Sequence, residues 1–326
     1  MFLAPLLFFY FDLVWYTSNM QKIIVILGAT ATKKTTLAKK IAKDFDAIVI
    51  NADSFQVYQE LNIGINKPNQ DDIINTPIKL IDCFSIYDEF DVAIYQKLCY
   101  ELIEKITKTT NKKIIICGGS NLYIDAVIKG YDLTKVSSRL ANNFFDSWTY
   151  EAIYNYVLQH DPIEAQKIGF NNKQRIIRAA QIIKELQQPK SSIPKQNDQY
   201  IYDCLIIETY LPRQILYQKI NQRVIDMIDN GWVQEVENLY QKDSNVGKLQ
   251  AFKALGYLEI LSSIVNHKNV PLEQIQKKVR NYAKRQLTWN KNKYHNQQLK
   301  FNVLTDDYLK LQKSIQNFFQ KNKKVL

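Results

Sequence analysis

Short apolar runs rich in β-branched residues recur through the first part of this chain: Ile23 to Leu27, then the runs inside DAIVINADS, PIKLIDCF and KKIIICGGS. Helix-length segments such as Val92 to Thr107 lie between them. Runs that are apolar on both faces suit strands covered on both sides, and strands alternating with helices need crossover connections. The pattern predicts an α/β fold, a P-loop-type parallel sheet flanked by helices. From Leu133 to about Gln199 the strand runs stop, and helices are expected near Arg139 to Gln159 and Asn172 to Leu186. QQPKSSIPKQNDQ reads as a loop, and YDCLIIETYLPR as a return to the sheet. Beyond Pro212, helices are expected over Arg213 to Asn230, Val233 to Gln241 and Leu272 to about Asn296, with LKFNVLT as a last strand. The expected organisation is an α/β core of residues 21–132 and 201–326, carrying a helical insertion over 133–200.

The first run opens onto GATATKKT, where a phosphate loop G-x-x-x-x-G-K-[ST] would sit. Such a loop turns backbone N–H groups and a helix N-terminus toward an anion, while its Lys and Ser or Thr meet phosphate and metal. Gly28, Lys34 and Thr35 fit, and Lys33 replaces the second glycine. That glycine lets the backbone approach phosphate and tolerates positive φ. A lysine there costs on the order of 1 kcal/mol if the position is left-handed, although a second ammonium attracts diphosphate. An ordinary strand-to-helix turn is the alternative.

NADSFQVY places Asp53 and Ser54 just past the second strand, at the sheet edge where open α/β folds bind ligands. Asp53 suits a general base or a metal ligand; a helix cap is the competing role. Gly118 and Gly119 end another strand, allowing close backbone contact with a ligand, and Ser120 reads as a helix cap. Asp82 is either a metal partner or a structural cap. The cysteines Cys83, Cys99, Cys117 and Cys204 are widely spaced in mostly apolar runs, which argues for buried free thiols in a reducing, cytoplasmic setting and against a structural zinc.

With 43 Lys and Arg against 32 Asp and Glu the net charge is +11, favouring an anionic partner such as nucleic acid. A base composition that enriches Lys, Asn and Ile gives the same excess. The segment expected at Leu272 to Asn296 has an apolar stripe with Lys277, Lys278, Arg280, Lys284, Arg285, Lys291 and Lys293 around it, a solvated face or an RNA-facing one. Residues 1–20 form an apolar, aromatic extension that lacks a basic start and carries Asp12. It is marginal for a spanning helix, and Met20 suits a working initiator, so no stable membrane association is expected.

Six segments, in order, then carry a specific resemblance: GATATKKT, NADSFQVY, GINKP, GGSNLY, QRIIRA and KRQLTW. The chain resembles the tRNA dimethylallyltransferases, or isopentenylpyrophosphate transferases. The resemblance implies transfer of a dimethylallyl group from dimethylallyl diphosphate to N6 of the adenosine 3′ of the anticodon, by a monomer that binds the tRNA anticodon stem-loop. It implies that Asp53 is the general base, that Arg223 is a second diphosphate-binding cation, and that Thr35 and Lys34 hold the diphosphate with Mg²⁺. The nucleotide- or diphosphate-binding loop is then Gly28, Ala29, Thr30, Ala31, Thr32, Lys33, Lys34 and Thr35. The tRNA contacts implied are Asp53, Ser54, Phe55, Gln56 and Ser120, with Gln174, Arg175, Ile176, Ile177 and Arg178 in the insertion. Gln56 would meet the target adenine, unstacked to be reached.

Three departures bear on activity. Ile65 and Asn66 stand where the family has Thr and Ala, LGYLEI lacks a following Arg, and Lys33 replaces glycine. The alternatives to an active enzyme are a tRNA-binding remnant whose diphosphate is blocked by Lys33, and a small-molecule P-loop kinase.

Overall fold

A computed structural model describes residues 20–69, 76–133, 144–193, 199–294 and 297–321. The apolar extension up to Asn19 and the first residues of the helix expected from Arg139 lie outside them. The described residues divide into two compact units, one within Met1–Ile128 and Tyr200–Leu326, the other within Lys129–Gln199.

The larger unit is built on a parallel sheet of six strands: β1 (Lys22–Gly28), β2 (Ala47–Ala52), β3 (Ile78–Lys79), β4 (Lys113–Gly118), β5 (Asp203–Tyr210) and β6 (Gln298–Asn302). Their order is β3-β2-β4-β1-β5-β6, so β1 pairs with β4 on one side and β5 on the other. Alternation along β1 feeds two cores. Ile23, Val25 and Leu27 enter one, and Ile24 and Ile26 the other, all fully buried. Each such burial contributes roughly 1.5–3 kcal/mol, which explains why both faces of the run are apolar.

Helix α1 (Lys34–Phe45) covers the second core with Leu37, Ala38 and Ile41. Helix α2 (Val92–Thr109) covers the first with Tyr95, Cys99 and Ile103, started by Asp91, whose carboxylate accepts the Ala93 and Ile94 N–H groups at 2.9 Å. Helix α3 (Asn121–Ile128) follows β4. PIKLIDCF yields only the two paired residues of β3, because Leu80 and Asp82 take left-handed backbone angles and turn the chain out of the sheet. Cys83 is consequently exposed, a correction to the expectation of buried thiols, whereas Cys99 and Cys117 are buried and Cys204 is half-buried; all four are free.

In the smaller unit, α4 (Tyr150–His160), α5 (Pro162–Ile168) and α6 (Lys173–Leu186) pack around Phe145, Val157, Ile176 and Ala179. Among the described residues, the helix expected from Arg139 starts at Tyr150, where the Thr149 hydroxyl accepts the Ala152 N–H at 3.2 Å. Pro162 then opens α5, a helix between the two expected ones that the sequence pattern did not predict.

The larger unit continues after β5 with α7 (Arg213–Asp229), α8 (Trp232–Lys242), α9 (Tyr257–Val265), α10 (Leu272–Tyr294) and α11 (Tyr308–Gln320). No helix of the described residues is long and apolar enough to cross a membrane.

Candidate active site

The carboxyl ends of β1, β2 and β4 open onto a cleft of about 660 Å³, lined on other sides by α7, α10 and the loop around Ile65. Ligands bind at this edge of a parallel sheet because the strands end there and the helices that follow present their N-termini.

The phosphate loop leaves β1 at Gly28 and enters α1 at Lys34. Thr30, Ala31, Lys33, Lys34 and Thr35 line the cleft. Gly28, Ala29 and Thr32 shape the loop instead: a Cβ on Gly28 would stand 2.4 Å from the Thr209 carbonyl oxygen, and Ala29 is fully buried. The buried Thr32 hydroxyl donates to the Ala29 carbonyl at 2.8 Å and shares a 2.6 Å hydrogen bond with the Thr209 hydroxyl. Lys33 adopts φ 58° and ψ 31°, the left-handed conformation that a glycine would take for free. The strain of about 1–2 kcal/mol is carried with the turn intact: α1 starts normally, with the Leu37 N–H donating to the Lys33 carbonyl at 3.1 Å.

Two cations are held against this loop. Lys34 Nζ donates to the Ala29 carbonyl at 2.7 Å, and Arg223 from α7 donates to Thr30 Oγ1 at 3.4 Å. Burial pushes Lys34 down to about 8, helped by the Arg223 guanidinium and opposed by the Asp53 carboxylate. Burial also lowers Arg223, again opposed by Asp53. Both cations are thus desolvated and ready to gain from an anion.

Asp53 lines the cleft at the end of β2. Its Oδ1 accepts the Phe55 and Gln56 N–H groups at 3.0 and 3.4 Å, a turn of the kind an Asp side chain makes with its own backbone. The turn uses one of its two oxygens. Phe55 lines the cleft beside it, and the Gln56 amide, almost fully buried, donates to the Ile65 and Asn66 carbonyls at 3.3 and 3.2 Å. Ser120 is not a side-chain cap of α3: its hydroxyl accepts the Ser54 N–H at 3.0 Å and donates to the Ser54 hydroxyl at 3.2 Å, tying β2 to β4.

The paired glycines line the cleft and also make room for neighbouring protein groups. A Cβ on Gly118 would meet the Ala52 carbonyl oxygen at 2.0 Å, and one on Gly119 would meet the Gln286 amide at 2.5 Å. Gln286 and Tyr282 are the residues sequence reasoning missed. Gln286 accepts the Thr30 N–H at 2.8 Å and donates to the Gly119 carbonyl at 2.8 Å, while the Tyr282 hydroxyl donates to the same carbonyl at 3.0 Å. Their spacing puts both on one face of α10, although in the sequence Tyr282 read as part of an apolar stripe. Trp289 Nε1 donates to the buried Asp125 carboxylate at 3.0 Å, so KRQLTW clasps the phosphate loop and anchors its own helix. Burial and the Asp53 charge push the Tyr282 phenol up, which keeps it a neutral donor.

Asp82 lies outside the cleft lining and pairs with Lys67 of GINKP, correcting its reading as a metal partner or cap. Lys67 also donates to the Tyr58 and Gln59 carbonyls and Asn62 Oδ1, making it a knot behind the cleft wall. The wall itself hangs on Glu235, whose carboxylate accepts the Asn62 and Ile63 N–H groups at 2.9 and 2.8 Å and the Tyr257 hydroxyl at 2.6 Å. Glu235→Ala is expected to cost about 1–3 kcal/mol, read as a lower denaturant midpoint, and to loosen the carbonyls that hold Gln56.

The insertion residues belong to the smaller unit. On α6, Gln174 and Arg175 are exposed, Ile177 and Arg178 are partly buried, and Arg178 donates to Gln181 Oε1 at 3.4 Å. Ile176 is fully buried in that unit's core, so its side chain packs rather than contacts RNA.

Fold and cleft define a class: an α/β protein of P-loop architecture, whose cleft sets a carboxylate beside cations. The model of the IPP transferase family matches residues 56–293, a stretch that starts beyond the phosphate loop and Asp53. The tRNA dimethylallyltransferase of Malacoplasma penetrans is 36% identical over 276 residues, 84% of this chain and 90% of that protein. The tRNA isopentenylpyrophosphate transferase of Bacillus halodurans superposes with a TM-score of 0.67 at 29% identity, covering 93% of this chain and 96% of that one. A eukaryotic dimethylallyltransferase that acts on tRNA shares the fold, with a TM-score of 0.79 at 24% identity over 92% of this chain and 80% of its own. This chain belongs to the IPP transferase family.

Proposed function

We propose that the chain transfers a dimethylallyl group from dimethylallyl diphosphate to N6 of the adenosine 3′ of the anticodon in tRNA. The observation that carries this reading is the convergence of Asp53, Lys34 and Arg223 on one cleft. The exocyclic amine attacks the first carbon of the allyl group, the carbon–oxygen bond to diphosphate breaks, and the N6 proton passes to Asp53. An amine of this kind is a weak nucleophile until its proton is accepted, which is the task of a carboxylate within hydrogen-bond reach. Lys34 and Arg223, held in place before substrate arrives, offset the charge that grows on the leaving diphosphate.

The donor set suits Mg²⁺ brought in with the diphosphate. Among the described residues no group of three His, Cys, Asp or Glu side chains could cage an ion, and Mg²⁺ characteristically takes one or two protein ligands with phosphate oxygens and water. The exposed Thr35 hydroxyl in the cleft would be its protein ligand. When bound, the ion neutralises diphosphate charge.

The smaller unit supplies the second half of the reading. Arg175, exposed on α6, and Arg178 suit phosphate contacts or stacking on anticodon-loop bases. A tRNA substrate suits a cytoplasmic protein.

Incubating the full chain with Mg²⁺, labelled dimethylallyl diphosphate and a tRNA whose anticodon is followed by adenosine is expected to yield N6-dimethylallyl adenosine on nuclease digestion. Absence of product at every enzyme concentration counts against the reading. ATP hydrolysis in the absence of tRNA would instead favour a small-molecule kinase.

A further inference from the structure

We propose that Lys33 is itself a diphosphate-binding residue, an additional cation of the phosphate cradle rather than a plug in it. This rests on the reading of the cleft as a diphosphate site. The substitution of glycine by lysine keeps the loop's geometry, because Lys33 takes the left-handed conformation and α1 begins from its carbonyl. The side chain makes no capping bond to α1 and is exposed, and the residue lines the cleft together with Lys34, Thr35 and Arg223.

The neighbouring cations differ from it in how they are committed. Lys34 donates to the Ala29 carbonyl, and Arg223 to the Thr30 hydroxyl, so each already has a protein partner as well as facing the cleft. Lys33 has neither bond, and an L-residue held in a disfavoured backbone region at a cleft is a pointer to function. An ammonium on a flexible stem at the mouth of a helix N-terminus meets phosphate oxygens by charge-assisted hydrogen bonding. It grips the diphosphate of substrate and the inorganic diphosphate product alike. Lys33 therefore sets affinity on both sides of the reaction more than it sets the barrier between them.

The test is calorimetric binding of inorganic diphosphate with Mg²⁺ to the full chain at fixed ionic strength, beside steady-state transfer kinetics. Lys33→Gln and Lys33→Gly are each expected to weaken diphosphate binding roughly 5–20-fold, and Lys33→Arg to stay within about threefold of the parent. In transfer, KM for dimethylallyl diphosphate rises in the same proportion while kcat stays within about twofold, the signature of lost uniform binding. Lys34→Met serves as the control on the cleft. If Lys34→Met loses diphosphate while Lys33→Gln and Lys33→Gly bind as tightly as the parent or more tightly, the role of Lys33 is overturned and the cleft reading stands. If Lys34→Met also binds undiminished, the cleft reading falls and this inference with it.

Discussion

Asp53→Asn is expected to lower the single-turnover rate of prenyl transfer by roughly 10²–10⁴-fold, with tRNA affinity within about threefold of the parent. The amide is the informative replacement because its Oδ1 still accepts the Phe55 and Gln56 N–H groups, so the turn after β2 survives while the proton acceptor is lost. Asp53→Ala removes both, and the gap between the two variants measures what the turn contributes. One electrostatic side effect has a known direction: the Asp53 carboxylate raises both Lys34 and Arg223, so its loss lowers each. Diphosphate binding measured on the same variants separates that effect from proton transfer. Equal loss of tRNA affinity and turnover in Asp53→Asn would reduce Asp53 to a turn former.

The alternation of apolar runs with helix-length segments made the sheet legible, because strands buried on both faces, such as Ile23 to Leu27, leave a pattern that few other elements leave. It could not reveal that PIKLIDCF pairs through only Ile78 and Lys79, since the left-handed turns at Leu80 and Asp82 have no marker such as glycine. Asp53, Lys34 and Arg223, to which the resemblance gives roles, line one cleft, but the resemblance was silent on what supports them. Gln286, which bridges Thr30 to Gly119, is separated from Thr30 by 256 positions, and nothing local in either segment announces the contact. Gly118 and Gly119 were legible as sites of close approach and do line the cleft, but the protein groups that press on them, Ala52 and Gln286, were not legible. Sequence shows that space is needed at a glycine; only the fold shows what fills it.

Lys34→Met is expected to weaken binding of diphosphate by roughly 10²–10³-fold and, below pH 8, to stabilise the free protein. The two effects have one origin. Burial holds Lys34 at about 8 in the folded chain against an ordinary 10.5, so folding with the ammonium charged is opposed. Between those values the unfolded chain binds more protons than the folded one, and parent stability rises with pH across that window. Below pH 8 both states are charged and the full penalty is present, so a methionine of similar length removes it while giving up the bond to Ala29. The stability gain of Lys34→Met over the parent should therefore be greatest at pH 7 and shrink as pH climbs from 8 toward 10.5, read as the difference between their thermal midpoints. Saturating diphosphate should reverse the order at pH 7, because a bound anion offsets the desolvation of the ammonium and binds only the folded parent tightly. A gain that is flat with pH would show that Lys34 is not desolvated in the empty cleft, and undiminished diphosphate affinity would remove it from the cradle.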